Sequence, residues 1–83
     1  MLWAVYRQDL HGSRFTVGVG GRYTAQDGSV IKVWGLPSEE AANEAAKRID
    51  ESHYHNHKAY YLPISYEPGK MLDTFRREKI RIF

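Results

Sequence analysis

Alternation of apolar and polar residues predicts β-strands in the first third of the chain. Leu2–Arg7 is rich in aromatic and β-branched residues, and Phe15–Val19 alternates large with small or polar residues. Side chains of a strand point to opposite faces in turn, so both patterns are typical of strands. Asp27-Gly28 then separates two strand-like runs, which is a strong hairpin signal. We therefore expect a three-stranded antiparallel meander over residues 2–35.

A helical period follows this meander. Ser38 suits an N-cap, and two glutamates follow it in the first turn, where the helix dipole favours anions. Apolar side chains then recur at intervals of three and four residues, namely Ala42, Ala45, Ala46 and Ile49. This spacing predicts an amphipathic helix with one apolar stripe.

The last third begins with a strand pattern. The residues expected to face the core are Tyr60, Leu62, Ile64 and Tyr66. Tyr61, Pro63 and Ser65 alternate with them and are expected to face outward. Pro63 lacks an amide hydrogen, so the strand is expected at a sheet edge or a bulge. A short helix or turn should follow near Met71, and residues 79–83 should form a last strand or a packed tail.

These elements predict an α+β fold. We expect a small antiparallel sheet of four to five strands in the order βββαβ, with one amphipathic helix packed on one face. The 83 residues suit a single domain over residues 1–83. The absence of cysteine excludes a disulfide-built scaffold and thiolate chemistry. No apolar run approaches the roughly 18 residues that cross a membrane, so a cytoplasmic location is expected.

Charge is unevenly distributed along the chain. Residues 38–52 carry five acids and two bases, whereas residues 69–83 carry five bases and two acids. The basic residues of the second segment are Lys70, Arg76, Arg77, Lys79 and Arg81. Such side chains bind phosphates or acidic protein surfaces, so this basic segment is a candidate partner-binding surface. The alternative is an ordinary solvated face of the protein.

Aromatic residues supply a second candidate surface. Trp3 and Trp34 each lie opposite the expected core-facing set of their strand, and Tyr61 is expected to point outward. Tyr, Trp and Arg are enriched at the hot spots of protein interfaces. We therefore predict that these three aromatic residues contact a partner. The alternative is a second small core under the C-terminal segment.

His53, His55 and His57 form a weak candidate for a metal site. Imidazole is a common metal ligand, but a stable site usually needs a further ligand and groups that orient each ring. No second ligand cluster stands out, so the favoured interpretation is a polar helix end and loop. Metal binding and a pH-sensing or partner-binding role remain alternatives.

Candidate catalytic and cofactor motifs are weak. Gly18-Val19-Gly20-Gly21 lacks the third glycine of a dinucleotide fingerprint, because Tyr23 occupies that position. It is better explained as a glycine-kinked strand. No serine lies in a nucleophile-elbow pattern. We therefore assign no catalytic residue and no cofactor, and we do not expect an enzyme.

The sequence favours a small non-catalytic binding protein that occupies a surface of a larger protein or nucleoprotein complex. In size and in its lack of a catalytic constellation, the chain resembles the small inhibitors and modulators that phages and mobile elements encode, including anti-CRISPR proteins. One alternative is a nucleic-acid-binding module that uses the basic segment. A metal-binding protein and a homodimer are further alternatives.

Overall fold

The structure is a computed structural model that describes residues 1–10, 12–15, 21–52 and 60–81. Its elements, in chain order, are β1 (Leu2–Asp9), β2 (Gly12–Phe15), β3 (Arg22–Thr24), β4 (Val30–Lys32), α1 (Glu39–Ser52), β5 (Tyr60–Tyr66) and α2 (Met71–Arg77). The predicted α+β class is confirmed. Neither helix in the described part of the chain is long and apolar enough to span a membrane.

The described strands form two antiparallel sheets. The larger sheet has the order β2-β1-β5, and β3 pairs with β4 in a separate two-stranded sheet. The prediction of one sheet with four to five strands is therefore wrong. The middle strand of the predicted meander includes residues 16–20, which lie outside the described residues. β1 is the central strand, because β2 pairs with one of its edges and β5 with the other. β5 pairs along it from Leu2, opposite Tyr66, to Gln8, opposite Tyr60.

A bulge at Gly35 interrupts the regular pairing between β1 and the chain that follows β4. The Val5 amide donates to the Val33 carbonyl over 2.7 Å, and Trp3 and Leu36 exchange two backbone hydrogen bonds of 2.9 Å. The two bonded positions are two residues apart on β1, Trp3 and Val5, but three residues apart on the chain after β4, Val33 and Leu36. That chain therefore carries one extra residue, which is a β-bulge. Gly35 has a φ of +70°, a conformation that favours glycine. The chain after β4 thus meets β1 for only a few bonds before it turns away.

Pro63 lies where its missing amide hydrogen removes no bond between β1 and β5. Val5 directs its amide toward Val33 and therefore away from β5. Val5 is paired in register with Pro63, so Pro63 also directs its backbone polar groups away from β1. Among the described strands, β5 is the last of its sheet, which agrees with the predicted edge strand, one of the two alternatives for Pro63.

Apolar clusters cover both faces of the larger sheet. On the face of α1, the buried residues are Val5, Ala25, Ile31, Val33, Leu36, Ala42, Ala45, Ala46, Ile49 and Tyr61. On the opposite face, a smaller cluster contains Ala4, Tyr66, Phe75 and Ile80. The apolar stripe of α1 is thus buried. Ser38 caps this helix by accepting a hydrogen bond from the Ala41 amide at its Oγ atom over 3.1 Å.

Two predictions in β5 are reversed in the structure. Tyr61, expected to point outward, is only 8% exposed because it packs among the residues beneath α1. Tyr60, expected in the core, is 69% exposed. Alternation correctly separates the two sets of side chains, but it cannot show that both sides of the strand are covered.

Helix α2 ends in a Schellman motif that has lysine at the position where glycine is usual. The Ile80 amide donates to the Phe75 carbonyl over 2.8 Å, and the Lys79 amide donates to the Arg76 carbonyl over 3.1 Å. Ile80 and Phe75 belong to the same buried cluster, which is the apolar contact expected of this motif. Lys79 has a φ of +59°, where an L side chain is strained.

Replacing Lys79 with glycine is expected to raise the free energy of unfolding by about 1 kcal/mol, because glycine adopts this conformation without the strain of a Cβ atom. The greater freedom of glycine in the unfolded chain keeps the gain small. Urea unfolding measures the change. Arg77→Gly, two residues earlier and inside the helix, serves as the control and should lower stability. A loss of stability in Lys79→Gly would contradict the motif.

Candidate binding groove

An open groove of about 410 Å³ lies beside α2. Its apolar lining comes from Leu2, Trp34, Tyr66, Met71 and Leu72. The turn between β5 and α2 contributes Pro68 and Gly69, and the charged lining residues are Asp73 and Arg76. The groove therefore combines aromatic and aliphatic walls with one acid and one base.

Tyr66 fixes one wall of the groove to the bend that follows β4. Its hydroxyl accepts a hydrogen bond from the Gly35 amide over 2.8 Å, and the side chain is almost fully buried. The bond joins residues that are 31 positions apart in the chain. Because a partly buried amide without a partner is costly, this bond holds the bend against β5.

Trp34 forms a second wall that the backbone holds in place. Its ring packs against both apolar clusters and is only partly exposed. The ring also lies directly against Gly21, where a Cβ atom would overlap the indole. Gly21 has a φ of +77°, so both its conformation and its contact with Trp34 require glycine. The position of the indole is thus set before any partner arrives.

Helix α2 contributes an exposed wall of the groove. Thr74 and Phe75 are buried and anchor the helix, whereas Leu72 is 49% exposed. Arg76 follows Leu72 by four residues, so the two side chains lie on the same face of the helix. An exposed leucine thus lies next to an exposed guanidinium group.

The five bases of the basic segment are all exposed, as predicted, but they differ in their partners. Lys70 Nζ lies 3.3 Å from a carboxylate oxygen of Glu67, and Arg77 Nε lies 4.0 Å from one of Glu78. Among the described residues, the ion pairs involve none of the other three bases, which are Arg76, Lys79 and Arg81.

The structure brings together only some of the predicted partner-binding residues. Trp34 and Arg76 line the groove, and Lys70 immediately follows the turn that closes it. Trp3, like Trp34, is partly buried against the cluster beneath α1, but Trp3 does not line the groove. The expectation that Tyr61 points outward is wrong, because it is buried in that cluster.

Sequence reasoning missed several walls of the groove. Leu72 could have been suspected, because an apolar residue lies four positions before an arginine on a short predicted helix. No nearby sequence pattern indicated that Leu2 and Tyr66 line the groove. Both residues reach the groove through the pairing of the first and last strands, in which they stand opposite each other.

A group of polar side chains lies farther along β1. Arg7 Nη2 is 3.3 Å from Asp9 Oδ2, and Tyr61 stands opposite Arg7 in the sheet register. Burial raises the pKa of Tyr61 to about 12, and the neighbouring Tyr23 adds to the increase while Arg7 opposes it. Burial also raises the pKa of Tyr23. These phenols therefore stay protonated to higher pH in the folded protein than in the unfolded chain.

Stability is expected to fall between pH 10 and about pH 12, because the unfolded chain loses the Tyr61 proton first as the pH rises. The part due to Tyr61 is fully present below pH 10 and amounts to roughly 2 to 3 kcal/mol, at about 1.4 kcal/mol per pKa unit. Unfolding titrations across this range measure it. Tyr61→Phe should flatten the slope, whereas Tyr60→Phe at the exposed neighbour should not. Equal slopes in the two variants would refute the assignment.

The predicted histidine site lies outside the described residues. His53, His55 and His57 belong to residues 53–59, and most of the glycine motif belongs to residues 16–20; neither range is described. Within the ranges that the structure does cover, no group of three or more His, Cys, Asp or Glu side chains could hold a metal ion.

Comparison with known proteins adds no relative. No family model, no curated protein and no solved structure matches this chain. The groove beside α2 therefore has to be interpreted from its own chemistry. Its aromatic walls can hold an apolar group, and Arg76 can bind a carboxylate or a phosphate.

Proposed function

We propose that this chain is a small non-catalytic binding protein that occupies a surface of a larger protein or nucleoprotein complex. The observation that carries the proposal is the groove beside α2, in which an apolar lining adjoins exposed bases. Exposed apolar surface surrounded by polar groups is a mark of protein interaction sites. Trp34 and Arg76 are also of the residue types that contribute most to binding energy at such sites.

A protein partner fits the basic segment better than nucleic acid does. Electrostatic affinity for nucleic acid grows with the number of phosphates that a protein neutralises. Lys70 and Arg77 already contact acidic side chains, and Asp73 lines the groove beside Arg76. An apolar lining also contributes nothing to contacts with phosphates. Nucleic acid is therefore the alternative that the experiment below distinguishes.

The groove favours docking without rearrangement. The Gly21 contact holds Trp34, and the hydrogen bond to the Gly35 amide holds Tyr66. Rigid walls reduce the conformational entropy that binding would otherwise cost. A chain that covers a partner's surface in this way would act as an inhibitor or modulator, as small proteins encoded by phages and mobile elements do.

Photo-crosslinking from the groove tests the proposal. A benzoylphenylalanine placed at Leu72 reports on the groove, and the same residue placed at Asn43, an exposed position of α1, is the matched control. In a lysate of the organism that encodes the chain, we expect a discrete protein adduct from position 72 alone. Unlabelled wild-type protein should suppress the adduct, and nuclease treatment should leave it unchanged.

Two outcomes would overturn the proposal. Equal adducts from positions 72 and 43 would show that the groove is not the binding surface. An adduct that contains nucleic acid instead of protein, and that nuclease therefore digests after irradiation, would replace the protein partner with nucleic acid. Unlabelled Arg76→Glu protein should suppress the adduct less than unlabelled wild-type protein does. Equal suppression would show that Arg76 does not contact the partner.

A further inference from the structure

We infer, on the basis of the proposed function, that the groove receives one large apolar side chain from an acidic protein segment and that Arg76 binds a carboxylate of that segment. The occupant is thus defined by two features, an apolar anchor and a negative charge beside it. Each feature has its own structural reason in the groove.

The size and shape of the groove indicate the anchor. A volume of about 410 Å³ is near the lower end of the range of about 300–1,000 Å³ for ligand sites in proteins. It suits one or two large side chains. The groove is open to solvent, so a side chain that protrudes from a partner's surface can enter it. Trp34, Tyr66 and Met71 offer such a side chain aromatic and aliphatic contacts.

The charges around the groove indicate the acidic neighbour. Arg76 lines the groove, and in the part of the chain that the structure describes it takes part in no ion pair. Its planar guanidinium group can bind a carboxylate through two parallel hydrogen bonds. Lys79 and Arg81 follow it as exposed bases, so an approaching acidic segment is attracted before contact.

Asp73 favours one orientation of the bound acidic segment over the other. It lines the same groove as Arg76, and an ion pair between the two is absent from the described residues. A partner carboxylate is therefore repelled on the Asp73 side and attracted on the Arg76 side. The two charges thus discriminate between orientations of the bound segment, as paired attraction and repulsion do at specific interfaces.

Synthetic peptides test the inference on the full chain. A fluorescein-labelled peptide with one phenylalanine among glutamates is the probe, and its binding is followed by fluorescence anisotropy. We expect affinity to fall at least about tenfold when the phenylalanine becomes serine, and likewise when lysines replace the glutamates. A Trp3→Phe background leaves Trp34 as the only tryptophan, and its emission should shift when the unlabelled peptide binds.

Variants locate the carboxylate. Arg76→Glu should weaken binding of the glutamate peptide at least about tenfold, and it should bind the lysine peptide better than the wild type does. Lys47→Glu, a charge reversal at an exposed position of α1, is the matched control and should leave both affinities unchanged. Both sites are exposed, so the fold should survive, and circular dichroism checks this.

The two proposals fail separately. The inference is wrong if the glutamate peptide does not bind at about 1 mM, if the serine peptide binds equally well, or if Arg76→Glu has no effect. In each of these cases a specific crosslink from position 72 would leave the proposed function intact. Loss of that crosslink together with failed peptide binding would overturn both.

Discussion

Replacing Gly21 with alanine is expected to lower the free energy of unfolding by about 2 to 5 kcal/mol. The new Cβ atom would overlap the indole of Trp34, and the φ of +77° disfavours any L side chain. Left-handed backbone strain costs about 1–2 kcal/mol, and forcing an extra methyl group into packed surroundings adds about 1–3 kcal/mol. Because Trp34 lines the groove, the substitution should also weaken binding there.

Gly28→Ala is the matched control for this prediction. Gly28 has a φ of +87°, but a Cβ atom there would have no neighbour within 4 Å. Its replacement therefore introduces the strain without the overlap, and we expect a loss of about 1 kcal/mol. Urea unfolding of both variants measures the difference. Equal losses would show that the indole does not rest on Gly21.

Replacing Phe75 with alanine is expected to cost about 3–5 kcal/mol, the usual range for truncating a buried phenylalanine. Phe75 is fully buried and is the only aromatic residue that α2 contributes to the smaller core. It also accepts the Ile80 amide bond that ends the helix. Its loss should therefore weaken the packing of α2 against the smaller core and disturb the groove beside the helix.

The control for Phe75→Ala is Leu72→Ala, three residues earlier on the same helix. Leu72 is 49% exposed, so its truncation should cost less than about 1 kcal/mol. Thermal and urea unfolding compare the two variants. Leu72→Ala should weaken peptide binding with little loss of stability, since Leu72 lines the groove. Similar stability losses in both variants would refute the assignment of Phe75 as the anchor of α2.

The features that sequence could predict depend on near neighbours. Ser38 caps α1 through the Ala41 amide, and the cap was visible because its partners follow within one turn. The turn at Asp27-Gly28 does join two antiparallel strands, and its signal also lies within a few residues. Both the helix cap and the turn therefore depend on residues that are close together in the sequence.

The features that sequence missed depend on distant contacts. The orientation of Tyr61 follows from α1 covering the face that alternation had assigned to solvent. The bulge at Gly35 also depends on a distant residue, because the Gly35 amide donates to the hydroxyl of Tyr66, 31 positions later. The groove depends on the same contacts, so basic and aromatic residues indicated a binding surface without showing where its walls lie.

The outward orientation of Pro63 has a consequence for solubility. On the edge of β5 that faces away from β1, Pro63 has no amide hydrogen to donate. A strand from a second molecule that added to this edge would lose its central hydrogen bond. Stacking of chains into cross-β fibrils requires an unbroken row of such bonds. The proline is therefore a gatekeeper that protects the longest edge strand of the described sheets against aggregation.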